Sequence, residues 1–390
     1  MSDWLLYAGI FTVAVALSLL AVPLAIRFAA SRQVVDRPGG YKLQEAAVPY
    51  LGGVAIVSSF VVVAVAAMVI RPPIGGDVRD IAIILGLAVT LSLMGLIDDL
   101  KGLGPVLRLV IQVGAAVTLL LATTTGVRLF DSGGVIDAAI TVVWIVGITN
   151  AFNLLDNMDG LSGGITAIAS LAFFVIAALS NQYLIASMSI ALAGCALGFL
   201  AYNWHPARIY MGDAGSLFLG FMLAVLGLRL RFAAPREVTA FVPVVVLALP
   251  VLDTALVTVS RMLHGRNPLA GGRDHMSHRL VFVGLSVPNA VRTMYLVAIT
   301  LGWTGLIMSR VDTVTAFLTL GLVAAGMALF GFLLGRVPVY SNSKREKVVV
   351  TTVEKVPEDY EHEEEDVAAA ADAEETTAAA AYVTTDQSAQ

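Results

Sequence analysis

The chain has 390 residues, of which 58% are hydrophobic and only 14% charged, with a mean hydropathy of +0.84. A soluble domain carries about 25% charged residues, so composition excludes an ordinary water-soluble enzyme and points to an all-α, polytopic membrane protein. The net charge of −5 divides into +4 over residues 1–340 and −9 over 341–390, and the single Cys195 excludes a disulfide framework or a cysteine metal site.

Apolar runs long enough to cross a hydrocarbon core of about 30 Å recur along the chain. The first, WLLYAGIFTVAVALSLLAVPLAI, predicts a span over 4–26; it is too long for a cleavable signal and has no basic segment before it. The loop 27–47 holds Asp36 and Lys42, and a basic side chain here suits a phosphate. A second span over 48–70 opens on the Gly52–Gly53 pair. The third, 81–97, runs into GLIDDLKGLGPVLRLVIQ, which sets Asp98 and Asp99 beside Lys101 and Arg108. Neighbouring helical side chains point about 100° apart, so the two acids divide their tasks, one toward a metal or basic partner and one toward a proton. A solvated charge pair with Lys101 is the plainer alternative. The fourth span covers 106–125.

The fifth span, 139–153, is the shortest and leads into NAFNLLDNMDGLSGG. Asn150, Asn153, Asp156 and Asp159 recur at three-residue spacing, which on a helix makes one polar stripe. Such oxygens suit a hard cation such as Mg²⁺, and Gly160, Gly163 and Gly164 let backbone approach a ligand. Helix capping accounts for only one or two of these polar residues. Spans over 161–180 and 183–201 lead to YNWHPARIYMGDAGSLFLGF, with Asp213 and Ser216 at the start of the eighth, 214–230. An acid there also suits the helix dipole without any function.

The ninth span, 238–260, encloses Asp253, which either supports a site from behind or pairs with another buried polar group. The loop RMLHGRNPLAGGRDHMSHRL follows, with Arg261, Arg266, Arg273, Arg279, His264, His275 and His278. Basic groups on flexible backbone read as an anion site, most naturally for phosphate; attraction to lipid headgroups is the plainer reading, and zinc at His275 and His278 lacks a convincing third ligand. Spans over 288–309 and 312–335 complete a set of eleven.

With the N-terminus outside, 17 Lys and Arg fall in the inner loops and tail and 7 outside, so the positive-inside rule gives N-out, C-in. The polar loops 27–47, 98–105, 150–160, 202–213 and 261–287 then all face the cytoplasm, and so does the chemistry. A catalytic membrane domain over 1–337 precedes an acidic, Ala/Glu-rich tail over 338–390 that reads as disordered. No GxxxxGK[ST] is present, which speaks against an ATP-driven pump. An ion-coupled transporter is the rival class, but transporters gather their binding groups near the midplane, whereas these acids lie at helix ends.

In this order, DDLKGLGPVLRLVIQ, NAFNLLDNMDGL, MGDAGSLFLG and GRDHMSHRL resemble motifs of the polyprenyl-phosphate N-acetylhexosamine-1-phosphate transferases (glycosyltransferase 4 family), over roughly residues 1–335. The resemblance implies transfer of a sugar-1-phosphate, GlcNAc-1-phosphate first, from a UDP-sugar to undecaprenyl or another polyprenyl phosphate. UMP would be released and cell-envelope polysaccharide synthesis begun, in the plasma membrane. A phospho-MurNAc-pentapeptide transferase is the alternative within the family, although eleven spans look more like the GlcNAc branch. By the same resemblance, Asn153 and Asp213 hold Mg²⁺ (or Mn²⁺), Asp98 and Asp99 are the catalytic pair, and Asp156 and Asp159 line the nucleotide pocket. Arg108 lines the pyrophosphate region, and the loop with Arg273, His275 and His278 shapes the sugar site. The implied partners are the UDP-sugar, the polyprenyl phosphate and membrane lipids, with a homodimer admitted and nucleic acid not.

Two departures from the family pattern bear on the sugar and not on the reaction class: Ser277 stands in the usual His-x-His-His, and Gln44 in the usual Lys-x-His. A phosphate monoester has a second pKa of about 6 and is largely ionised at neutral pH. Direct attack by the lipid phosphate, with Asp98 or Asp99 taking its remaining proton, is therefore favoured over a covalent aspartyl intermediate.

Overall fold

The computed structural model describes residues 3–36, 47–72, 77–123, 134–231, 236–268 and 271–340. In chain order the elements are α1 (Asp3–Ser31), β1 (Val35–Asp36), β2 (Val48–Pro49), α2 (Gly52–Ile70), α3 (Asp77–Lys101), α4 (Pro105–Ala122), α5 (Val135–Leu155) and α6 (Leu161–Leu179). Then follow α7 (Tyr183–Asn203), α8 (Gly212–Arg229), α9 (Arg236–Val246), α10 (Ala248–Leu263), α11 (Met276–Phe282), α12 (Val287–Met308) and α13 (Thr313–Gly335). The strands pair antiparallel, Val35 with Pro49 and Asp36 with Val48. Ten of the described helices are long and apolar enough to cross a membrane, or eleven if the bent pair α9–α10 makes one span. The protein is a multi-pass helical membrane protein.

The helix ends that matter for the site are written in local sequence. Lys101 is followed by Gly102 at φ +68°, a conformation that releases the chain from α3. Gly104 then precedes Pro105, whose fixed φ and missing N–H suit the first turn of α4. At the other end of the bundle, Asp312 starts α13 by accepting the N–H groups of Val314 and Thr315 at 3.0 and 3.1 Å.

Helix α8 is the centre of the bundle, buried over almost its whole length, and packs against α3 and α5; α13, α1 and α4 are the least enclosed. Small residues set the closest approach. A Cβ on Gly95 would strike the Asp213 backbone, so only glycine here lets the first turn of α8 rest on α3.

Three expectations need correction. The ninth span is not one helix: α9 and α10 meet at 69° around Leu247. Pro250 cannot donate to the carbonyl of Val246, and its ring crowds that carbonyl, so the helix breaks between them. The fifth span is longer than expected, Val135–Leu155. The Asn/Asp series is not one helical stripe, because α5 stops at Leu155 and Asp156 leaves helical geometry at φ −77°, ψ 48°. Lys42 and Gln44 lie outside the described residues, as does the expected acidic tail beyond residue 340.

Candidate active site

Four helix ends converge at one end of the bundle: the C-termini of α3 and α5 and the N-termini of α4 and α8. Arg108, in the first turn of α4, lies between the others. Its Nη1 is 2.5 Å from Asp98 Oδ2 and 3.1 Å from Asp213 Oδ2, and its Nη2 donates to Asn153 Oδ1 at 3.0 Å. Asn153 Nδ2 donates to Asp213 Oδ1 at 2.7 Å and to Ser216 Oγ at 3.0 Å. Asp98 also accepts the Leu103 N–H at 2.5 Å, which fastens the GLGP turn beneath it.

The adjacent acids take different partners: Asp98 meets the basic Arg108, whereas Asp99 meets a backbone turn, a role expected of neither. Asp99 accepts the N–H groups of Asp213 and Ala214 at 3.0 and 3.2 Å, so it serves the N-terminus of α8 and not Arg108. Gly212, at φ +66°, makes room for it: a Cβ there would press on Asp99 Oδ2.

The segment after α5 forms the second wall. Burial, and then the charges of Asp213, Asp99 and Asp159, push the Asp156 carboxyl up to about 8. Asp159 Oδ2 accepts from Ala207 N at 3.0 Å and meets His205 Nδ1 at 2.8 Å. The Gly160 peptide is held on both sides, its N–H by Asn203 Oδ1 at 3.0 Å and its carbonyl by the Tyr295 hydroxyl at 2.5 Å.

The third wall is the start of α11. His275 is buried, with Nδ1 2.8 Å from Asp253 Oδ2, while Asp253 Oδ1 accepts the Met276 N–H at 2.7 Å. Asp253 thus supports this loop from behind. Ser277 donates to Asn157 Oδ1 at 2.6 Å, tying α11 to the segment after α5. Burial, His275 and Arg273 hold the His278 imidazole down to about 4 against the partial pull of Asp253 and Asp274, so it is neutral at physiological pH.

Two loop cations expected at an anion site are structural instead. Arg261 makes a two-point contact with Asp274, at 2.7 and 2.6 Å. Arg279, fully buried, binds the carbonyls of Asp274, Leu334 and Val337 and the Ser260 hydroxyl. It caps the C-terminus of α13, where a cation is favoured. Arg273 stays beside His278 and half-exposed.

Among the described residues no three His, Cys, Asp or Glu side chains are disposed to hold a metal by themselves. The donor chemistry nevertheless fits Mg²⁺, which commonly takes one or two carboxylates and completes its shell with phosphate oxygens and water. Asp98 and Asp213 share the single guanidinium of Arg108, and Asp99 lies against the Asp213 backbone, leaving the cluster short of positive charge. Sequence reasoning passed over Gln112, Asn203, His205 and Tyr295. The amides in apolar runs were a usable signal; the tyrosine gave none.

Residues 81–231 match the model of glycosyl transferase family 4. Over 298 residues, 74% of this chain and 80% of the relative, the sequence is 33% identical to the probable undecaprenyl-phosphate N-acetylglucosaminyl 1-phosphate transferase of Bacillus subtilis. It is 34% identical over 242 residues, 55% of this chain and 58% of the relative, to the decaprenyl-phosphate N-acetylglucosaminephosphotransferase of Mycolicibacterium smegmatis. It is also 32% identical over 288 residues, 66% of this chain and 86% of the relative, to the phospho-N-acetylmuramoyl-pentapeptide-transferase of Moorella thermoacetica. The extent of the first and third matches, together with the ordered acidic motifs, establishes that this chain belongs to glycosyl transferase family 4.

Proposed function

We propose that this protein transfers a sugar-1-phosphate, GlcNAc-1-phosphate in the first instance, from a UDP-sugar to a polyprenyl phosphate, releasing UMP. The observation that carries the reading is the meeting of Asp98, Asn153 and Asp213 around Arg108 in a chain whose relatives are named as polyprenyl-phosphate sugar-phosphate transferases. The excess of Lys and Arg in the loops at this end of the bundle supports a cytoplasmic active site, with the N-terminus outside and the C-terminus inside.

In this reading Asp213 and Asn153 hold Mg²⁺, with Asp98 alongside. Bound there, the ion would supply positive charge against that growing on the diphosphate as UMP leaves. Phosphoryl transfer depends mainly on alignment and electrostatics. Arg108 supplies the fixed cation that draws the diphosphate to the acids. Asp98, which shares Arg108 with Asp213, accepts the remaining proton of the lipid phosphate, whereas Asp99 holds the first turn of α8 in place. Asp156 and Asp159 border the nucleotide. His275, Arg273 and the neutral His278 border the sugar, where an uncharged imidazole suits hydroxyl groups.

The similarity to a muramoyl-pentapeptide transferase favours UDP-MurNAc-pentapeptide as the second donor to try. The test is UMP release by the purified protein with undecaprenyl phosphate and UDP-GlcNAc, UDP-GalNAc or UDP-MurNAc-pentapeptide. Release from UDP-GlcNAc that needs both lipid and Mg²⁺ is expected. Release from the pentapeptide donor alone selects the second reading, and none from any donor rejects transfer altogether.

A further inference from the structure

Helix α4 brings Arg108 to the site, yet it is one of the least enclosed helices in the bundle. It packs against α3 and α5, and its buried residues are Gln112, Ala115, Ala116 and Leu119. Three are apolar, so their contacts carry no hydrogen bond to a neighbouring helix. Gln112 is different. Asn150 Nδ2 donates to Gln112 Oε1, and Gln112 Nε2 lies 3.5 Å from Asn150 Oδ1, so the two amides face each other reciprocally. Asn150 is itself held by a second bond from Nδ2 to the Val146 carbonyl at 2.8 Å.

Gln112 is four residues beyond Arg108 on α4, and Asn150 is three before Asn153 on α5, so each lies about one turn deeper on the same face. Arg108–Asn153 and Gln112–Asn150 are therefore successive rungs between two helices. The outer rung meets the reacting groups and the inner one does not. In hydrocarbon an unpaired amide is costly, so the inner rung is a directional constraint that apolar packing does not provide.

We propose that the Gln112–Asn150 amide pair is a positioning device: it fixes the rotation and height of α4, and through them the place of Arg108 over Asp98 and Asp213. This rests on the proposed function, for its catalytic consequence and for the choice of UDP as the bound ligand. Neither amide touches substrate. A helix turned slightly about its axis would still pack and still span the membrane, but the guanidinium would miss one of its two carboxylates.

The experiment uses the full-length protein in lipid nanodiscs, with two readouts: kcat for UMP release and Mg²⁺-dependent affinity for UDP, which needs no turnover. Gln112→Leu is expected to lower both about tenfold, since displacements of an ångström can cost this much or more. The exchanged pair, Gln112→Asn with Asn150→Gln, should recover most of the loss. In an Arg108→Ala background Gln112→Leu should add almost nothing, the non-additivity expected of residues acting through one group. A folded Gln112→Leu protein with unchanged kcat and UDP affinity overturns the proposal, and so does a loss of equal size with and without Arg108. If Gln112→Leu does not fold, the exchanged pair decides: folded and active supports the positioning role, folded and impaired overturns it. A natural protein that binds UDP with Mg²⁺ but turns over no donor fails the transfer reading, while the UDP affinities still decide this one.

Discussion

Asp99 engages Asp213 through the backbone: its carboxylate accepts the N–H groups of Asp213 and Ala214 and so anchors the turn that carries the Asp213 side chain to Arg108. Asp98, its neighbour in sequence, instead meets Arg108 directly. The two acids should therefore fail differently. Asp99→Ala is expected to cost about 1–2 kcal/mol of stability, as loss of an acceptor at a helix N-terminus does, and to lower activity by loosening Asp213. Asp98→Asn should keep its bond to Leu103 N and stay folded while losing turnover. Thermal unfolding in detergent beside UMP release checks both; equal Tm for Asp99→Ala and the natural protein would contradict the anchoring role.

Asp213 is the acid on which three helices depend, through Arg108, Asn153 and its own place in α8. Asp213→Asn keeps its volume and removes its charge. We expect folded protein with kcat lowered about 100-fold or more, the scale of losing a charge-stabilising group at a reacting phosphate. Chelation should abolish UMP release and Mg²⁺ restore it, with Mn²⁺ as a partial substitute. Asn153→Ala should raise the Mg²⁺ concentration needed for half-maximal rate. Full activity in Asp213→Asn would remove it as a ligand.

Much of this arrangement is legible in the sequence because its parts are local. Apolar run length marks the spans, GLGP marks the turn between α3 and α4, and acids next to hydrocarbon mark the site. What sequence periodicity misjudged was where helices stop. Asn150, Asn153, Asp156 and Asp159 fit one helical face by spacing, but α5 ends at Leu155, so Asn150 meets Gln112, Asn153 meets Arg108 and Asp213, and Asp159 meets His205, while Asp156 feels the charges of Asp213, Asp99 and Asp159. Arg261 and Arg279 look like ligand cations in one dimension. Only the return of α13 beside α10 and α11 gives Arg279 its carbonyls and shows it to be a cap. Contacts between residues more than a hundred positions apart, such as Ser277 with Asn157, leave no periodic trace.

Orientation is testable with the chain's own composition. Cys195 is its only cysteine and is buried, so Cys195→Ser gives a silent background for labelling. Arg310, exposed between α12 and α13, belongs to the outer face in the N-out arrangement, and Arg266, exposed after α10, to the inner face. A membrane-impermeant maleimide on intact cells should label Arg310→Cys and leave Arg266→Cys unlabelled until the membrane is opened. The reverse pattern would place the acidic cluster outside.

His278 predicts how the protein responds to acid. Burial, His275 and Arg273 depress its imidazole to about 4, against an ordinary value of 6.5, while Asp253 and Asp274 oppose the shift only in part. The unfolded chain therefore binds a proton at this residue that the folded chain refuses. Stability from this source is complete above about 6.5 and is lost as pH falls through that value toward 4. Tm should drop between pH 7 and 4.5, and His278→Gln, which keeps a polar amide but cannot titrate, should flatten that part of the curve. Above pH 6.5 the imidazole is already neutral, so its protonation should leave no inflection in kcat/KM between pH 6.5 and 8. A stability curve that falls as steeply in His278→Gln as in the natural protein would assign the acid sensitivity to another group.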